Sequence, residues 1–414
     1  MAGSWARTRH ISGDSKKHME NRTKTLWIIG AMGWLALSIF VVGFAPLAAS
    51  IPGTFVLVDA PGAGKDSGQG TTPRDINENG EITGFYKDAD SVLHGFVRHK
   101  DGTFATFDAP GASKGPGLGT SPQSINNDSD VVGFYVTNPD AVRHGFVRHK
   151  NGTFTIVDPA GSLGTVVQSI NSHGDMTGNF VAGDSAHAFL ETKDGTFTSF
   201  DPPNSYNTAP QSINESGEIA GYFADVNDAL HGFVRHRDAT FETFEAPNAS
   251  TREGVGTFAM VVNAAGEITG YYNSGAYKGL HGFIRHRDGT FTNFDPPGAI
   301  ADNAAHKDQD GYLVRPVTGP MSITEDGEIA GYFGDATGLS HGFLRHKNGA
   351  FETFDAPHAS KDSSGGTLPQ AMNKPGDIVG YFFSDPDAVI HGFLVKRPAS
   401  SAIAPAAKAP KKSQ

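Results

Sequence analysis

Histidine and aspartate recur at fixed places along this chain, so they are the first residues to test for chemistry. The phrase HGFVRH pairs His94 with His99, and close variants pair His144 with His149, His231 with His236, His281 with His286 and His341 with His346. Two histidines could share a metal ion only if both rings reached it. Side chains alternate along a strand, so residues five apart face opposite ways and cannot chelate together. The first histidine returns in every copy, with His187 and His391 completing the set. That is how a structural residue behaves, hydrogen-bonding across its own sheet. An acid follows each TF strand as well: Asp59, Asp108, Asp158, Asp201, Asp295 and Asp355, with Glu245 in one copy. Placed before Pro or Ala-Pro, it reads as a turn former.

Other candidate chemistries are thinner. Loop acids such as DAD (88–90), NPD (138–140) and DPD (385–387) are hard oxygen ligands. Ca²⁺ needs six to eight oxygens converging on one point, and solvated turn carboxylates are the preferred reading. No cofactor is expected, and Ca²⁺ is the one ion these side chains would suit. DQDG (308–311) lacks the downstream acid of a calcium loop. PGAGKDS (61–67) has Asp where a phosphate-binding loop needs Ser or Thr after Lys, and GASKG (111–115) has no strand-turn-helix context for a nucleophile. There is no cysteine, so thiolate chemistry and disulfides are excluded.

The elements that would position any site come from a repeat. The phrase N-x-x-G-[DE]-I-x-G-[YF]-[YF] is legible at Asn77, Asn214, Asn263 and Asn373, weaker at Asn126 and Asn171, and carries Thr324 in place of Asn once. HGF or HAF follows seven times, at intervals of 43 to 50 residues with one of 60. Each copy divides into four short β-type runs, with NxxG and KDG or KNG as hairpin turns. Phe96 and Val97 are neighbours on one strand, so both faces of the sheet are apolar and both must be covered. Four-stranded units covered on both sides by their neighbours are β-propeller blades. The expectation is an all-β, seven-bladed propeller over 51–397. The last copy stops after its third strand, and the orphan GTFVLVD (53–59) supplies the fourth, closing the ring.

These words resemble a family of exported bacterial repeat proteins named for a HAF motif, present literally at His187-Ala188-Phe189 and as HGF in the other six copies. The resemblance implies export and a propeller-like build. It implies no activity and no catalytic residue.

Repeated residues build a pseudo-symmetric ring, so function is best sought where one copy departs from the others. The innermost strands align Arg74, Gln123, Gln168, Gln211, Met260, Met321 and Gln370, followed by Asp75, Ser124, Ser169, Ser212, Val261, Ser322 and Ala371. This is a polar belt interrupted by an Arg-Asp pair and two methionines, and either position could face the channel. The second departure is the insert 300–320, which should overhang the channel mouth with His306, Asp308, Asp310, Tyr312 and Arg315. A carbohydrate-stacking role is weakened because all three tryptophans (Trp5, Trp27, Trp34) precede the repeats.

The ends differ from the body. Residues 26–45 form an apolar run behind Arg22 and Lys24, read as a secretory signal cleaved near Ser50, with an uncleaved membrane anchor as the competing reading. Residues 398–414 are rich in Ala, Pro and Lys and are expected to be a disordered tail. Residues 1–50 carry six Lys/Arg and two Asp/Glu and residues 396–414 five Lys/Arg, leaving 51–395 with 22 of the 33 bases and 42 of the 44 acids. Such a body repels phosphate backbones, so a nucleic-acid partner is not expected. The expected location is extracytoplasmic. The leading functional expectation is a non-catalytic binding module whose partner is an extracellular ligand, polysaccharide or protein. One alternative is a hydrolase or lyase on an extracellular polymer, using Arg74, Asp75, His306 and Asp308. The other is a structural cell-envelope protein.

Overall fold

A computed structural model describes residues 51–398, apart from 52, 139–140, 276–278, 301–305, 308–312, 315–316, 362–364 and 385–387. The expectations for 1–50, for the tail and for Asp308, Asp310, Tyr312 and Arg315 lie outside the described residues.

The described chain is all-β, a β-propeller built of repeated four-stranded antiparallel meanders. Six continuous units span residues 70–107, 120–157, 164–200, 207–244, 257–294 and 318–354. A seventh takes three strands from 366–396 and its fourth from Thr54–Leu57. That strand pairs antiparallel with Ile390–Lys396 from Thr54↔Lys396 to Leu57↔Phe393. The orphan phrase thus finds its partner at the other end of the chain.

The units are less separate than the sequence suggests. Three of them, the sixth, seventh and first, merge into one mixed twelve-stranded sheet that does not close on itself. The cause is a single parallel residue pair at each seam, where the start of a third strand meets the start of the next unit's first strand. Ser340↔Gly366 and Gly70↔Ile390 fuse sheets in this way. Leu93↔Gly119, Leu230↔Gly256 and Leu280↔Val317 are the same contact left as isolated bridges.

Both faces of each unit are buried, as neighbouring apolar residues demanded. Phe96 is 0% exposed and Val97 1%, and burying each such side chain stabilises the fold by roughly 1.5–3 kcal/mol. The phenylalanine of HGF or HAF is buried in every unit. In five seams it packs edge-on against the closing phenylalanine of the preceding unit, as Phe146 does on Phe107. Arg148, Arg235, Arg285 and Arg345 lay their guanidinium groups over those same closing rings.

Two polar lattices fix the units. The HGF histidine donates through Nδ1 to the acid after the TF strand: His94–Asp108, His144–Asp158, His187–Asp201, His281–Asp295, His341–Asp355 and His391–Asp59 at 2.7–2.9 Å, and His231–Glu245. The two repeated residues that the sequence presents separately are partners, fastening the third strand to the end of the fourth. The second histidine pairs at the opposite end with the acid of the G-[DE]-I phrase, as in His99–Glu81 at 2.8 Å. The NxxG asparagine shapes its own turn, Asn77 Oδ1 accepting the amides of Asn79 and Glu81. Its Nδ2 reaches the next unit's backbone carbonyl: Asn77 to Asn126, Asn126 to Asn171, Asn171 to Asn214, Asn214 to Asn263, Asn263 to Thr324 and Asn373 to Asn77, at 2.9–3.3 Å. Thr324 has no amide to offer, so the seam from the sixth unit to the seventh lacks this clasp.

Candidate functional site

The innermost strand of each unit carries a β-bulge at the same place. The register shifts between Pro73 and Asp75, Pro122 and Ser124, Val167 and Ser169, Pro210 and Ser212, Ala259 and Val261, Pro320 and Ser322, and Pro369 and Ala371. Proline is tolerated at a bulge because the ladder is already interrupted there. The glycine of I-x-G-[YF] makes room on the next strand. A Cβ on any of these seven glycines, Gly84 to Gly380, would sit 2.0–2.4 Å from an inner-strand carbonyl oxygen. The bulged residue is Arg74, Gln123, Gln168, Gln211, Met260, Met321 or Gln370. Being displaced from the ladder, it and its successor both line the channel, so the two aligned positions do not compete for one face.

The channel holds a cavity of about 320 Å³. All seven bulged residues line it, with Asp75 and its equivalents. A further ring, not apparent from the sequence, comes from the second strands: Phe134, Asn179, Tyr222, Tyr271, Tyr332 and Tyr381. These look like interchangeable core aromatics in the repeat phrase. The signal was the change from Phe or Asn in units one to three to Tyr in units four to seven.

Arg74 is held between neighbours. Its Nη1 donates to Gln370 Oε1 at 3.2 Å and its Nη2 to Gln123 Oε1 at 3.0 Å. Burial weakens its hold on its proton, while Tyr381 and Asp75, both within electrostatic reach, favour the charged form. Asp75 does not form an ion pair with it. Its carboxylate accepts hydrogen bonds from the Ile76 amide at 2.8 Å, the Ser124 hydroxyl at 2.8 Å and the Ile125 amide at 2.9 Å, joining units one and two. Burial raises the Asp75 pKa, and these hydrogen bonds oppose the rise. Ser212 does the same work with less, accepting the Val262 amide at 2.9 Å.

The tyrosines form an arc. Tyr271 lies within electrostatic reach of Tyr222 and Tyr332, Tyr332 of Tyr381, and Tyr381 of Arg74. Burial raises all four phenols, Tyr332 to about 12, so they are neutral hydrogen-bonding groups at ordinary pH. None of the four hydroxyls has a protein hydrogen-bond partner among the described residues.

The structure therefore brings together Arg74, Asp75, Gln123, Gln168, Gln211 and Gln370. Of the insert, the backbone pairs His306 with Val314 and Lys307 with Leu313. The structure describes only the backbone of His306 and leaves Asp308 outside the described residues, so of the set suggested for acid–base work it places the side chains of Arg74 and Asp75. Among these residues, no group of three or more His, Asp or Glu is arranged to hold a metal ion. The Asp88 carboxylate is occupied by the amides of Asp90 and Val92 and by His94 Nε2.

No family model matches the chain, and no curated protein matches it in sequence. Its fold is similar to solved structures. Virginiamycin B lyase from Staphylococcus aureus is 15% identical, covering 83% of this chain and 99% of that one, with a TM-score of 0.47. The β-propeller domain of the Trilobed protease from Pyrococcus furiosus is 9% identical, covering 80% and 99%, with a TM-score of 0.48. A complex of Aleuria aurantia lectin with α-methyl-L-fucoside is 11% identical, covering 74% and 96%, with a TM-score of 0.40.

Proposed function

We propose that the protein is a binding module whose site is the channel of a seven-bladed propeller, the last blade completed by Thr54–Leu57. The observation that carries this reading is the asymmetry of the channel wall. Arg74 replaces a belt glutamine on one side, and four tyrosine hydroxyls without protein partners line the other. A symmetric repeat needs neither feature to close. A cavity of this size stands at the small end of ligand pockets, roughly 300–1,000 Å³. In the same reading the chain is exported, residues 26–45 serve as signal or anchor, and the HAF-type wording is that of an extracytoplasmic repeat protein. Asp75 belongs to the seam between units and takes no part in proton transfer.

The test is the melting temperature of the purified full chain against sugars, sugar acids, amino acids and divalent ions. A ligand at 100 times its Kd stabilises a fold by about 2.7 kcal/mol when it binds the native state alone. The expected result is a shift with at least one small ligand that is lost in Gln211→Trp, which fills the channel from the wall opposite Arg74. A shift that survives this substitution would place the ligand elsewhere and overturn the channel reading.

A further inference from the structure

We infer that the channel takes a small organic acid bearing hydroxyl groups, a sugar acid by chemical class, with its carboxylate on Arg74 and its hydroxyls on the tyrosine arc. This deepens the channel reading and rests on it. A guanidinium has five N–H donors, and Arg74 spends two of them on Gln370 and Gln123. Those amides are themselves held: Gln123 Nε2 donates to Ser121 Oγ at 3.0 Å and Gln370 Nε2 to the Pro369 carbonyl at 3.2 Å. Their oxygens are thereby turned toward Arg74, which stands fixed with three donors to spare. It forms no ion pair among the described residues. Asp75, next in sequence, is committed to Ser124, Ile125 and Ile76. A half-buried cation whose one nearby carboxylate, Asp75, spends its hydrogen bonds on other groups is only partly compensated, and an incoming anion in direct contact completes the compensation. A carboxylate matches the guanidinium fork with two parallel hydrogen bonds.

The rest of the wall sets the ligand's size and polarity. Among the described residues Arg74 is the sole cation lining the cavity, which suits one negative charge better than two. The 42 acids of the body repel a polyanion, whereas at physiological salt their field is screened within about 8 Å and a small monoanion responds mainly to Arg74 at contact. The four tyrosine hydroxyls can each donate and accept, which is what a ligand's own hydroxyls require. Met260 and Met321 lie among them as polarisable apolar surface for the carbon skeleton.

The experiment is calorimetric titration of the full chain with glucuronate, glucose, acetate and sulfate. Glucuronate is expected to bind, with glucose and acetate each at least about tenfold weaker. Arg74→Gln places in unit one the residue that four other units carry, so it folds, and it should weaken glucuronate about 10- to 100-fold. Tyr332→Phe and Tyr381→Phe copy the phenylalanine of unit two and should each weaken it about 3- to 10-fold. Glucose binding as tightly as glucuronate, with Arg74→Gln indifferent, would overturn the acid while leaving the channel reading intact. Sulfate binding more tightly than glucuronate, or no heat with any of the four, would also overturn the inference. In either case the channel-filled variant decides separately whether the channel reading stands.

Discussion

The two arcs of the channel wall are made by the same strands in the same positions, yet they differ in chemistry. Units one to three present Arg74, Gln123 and Gln168 backed by Phe134 and Asn179, with the buried Phe85 at the equivalent place in unit one. Units four to seven present Gln211, Met260, Met321 and Gln370 backed by Tyr222, Tyr271, Tyr332 and Tyr381. The bulge and its glycine partner are common to both arcs, so the scaffold does not explain the difference. What every unit shares holds the ring together, and what one arc alone carries is free to meet a ligand. The contrast also reaches into the seams. Units one and two are clasped by a carboxylate with two hydrogen bonds across the seam and a third to its own unit, units four and five by one serine.

The seams give the largest way to break this comparison. Asp75→Ala strands the Ser124 hydroxyl and the amides of Ile125 and Ile76, and is expected to cost about 2–4 kcal/mol in urea unfolding. Ser212→Ala, leaving the Val262 amide alone, should cost about 1 kcal/mol. Equal costs would mean that the Arg-side seam is no stronger than its counterpart.

Next in size is a pH effect centred on unit six, with a second contribution from His231 in unit four, whose pKa is raised by its hydrogen bond to Glu245. Burial alone would lower the pKa of His341, but hydrogen bonds to Asp335 and Asp355 outweigh it and push the pKa up to about 9. The raised pKa makes the protonated ring stabilising. That contribution is full below the unfolded value near 6.5 and is lost as pH rises through about 9. Melting temperature should therefore fall between pH 6.5 and 9.5, with part of the fall abolished in His341→Asn. An identical profile in that variant would assign the fall to other groups.

Smaller still is a repair. Thr324→Asn should supply the missing donor to the Asn373 carbonyl and raise stability by about 1 kcal/mol, read as a shift in the urea midpoint at unchanged slope. The smallest expected effect is that of Tyr222→Phe on stability, within about 0.5 kcal/mol, since Phe134 already fills the equivalent place in unit two. A large loss there would make the tyrosine arc structural.

Much of this was legible in the sequence for physical reasons. The seven copies, the four strands of each and the orphan strand at 53–59 follow from period-2 patterning and turn residues, which act locally. The recurrence of the histidines and acids was visible in the sequence, but their mutual pairing depends on hairpin register, which brings residues fourteen apart together. The bulge had a signal in Pro-Gln-Ser at Pro122 and Pro210, because proline resists a regular ladder. Its consequence, both positions lining the channel, is a matter of three-dimensional displacement. The tyrosine arc was hidden because one added hydroxyl leaves the hydrophobic pattern unchanged. The merged sheet rests on one residue pair per seam, too small a feature to carry any pattern. The insert's Asp308, Asp310, Tyr312 and Arg315 lie outside the described residues.

The most direct test of the central claim is the NMR spectrum of the chain carrying ¹³C-labelled tyrosine, recorded as glucuronate is added. The account predicts that the ring signals of Tyr271, Tyr332 and Tyr381 shift with saturation. Those of Tyr86, Tyr135 and Tyr206, which lie outside the channel lining, should stay in place. Shifts confined to the outer tyrosines, or no shift in the arc at ligand concentrations that raise the melting temperature, would contradict it.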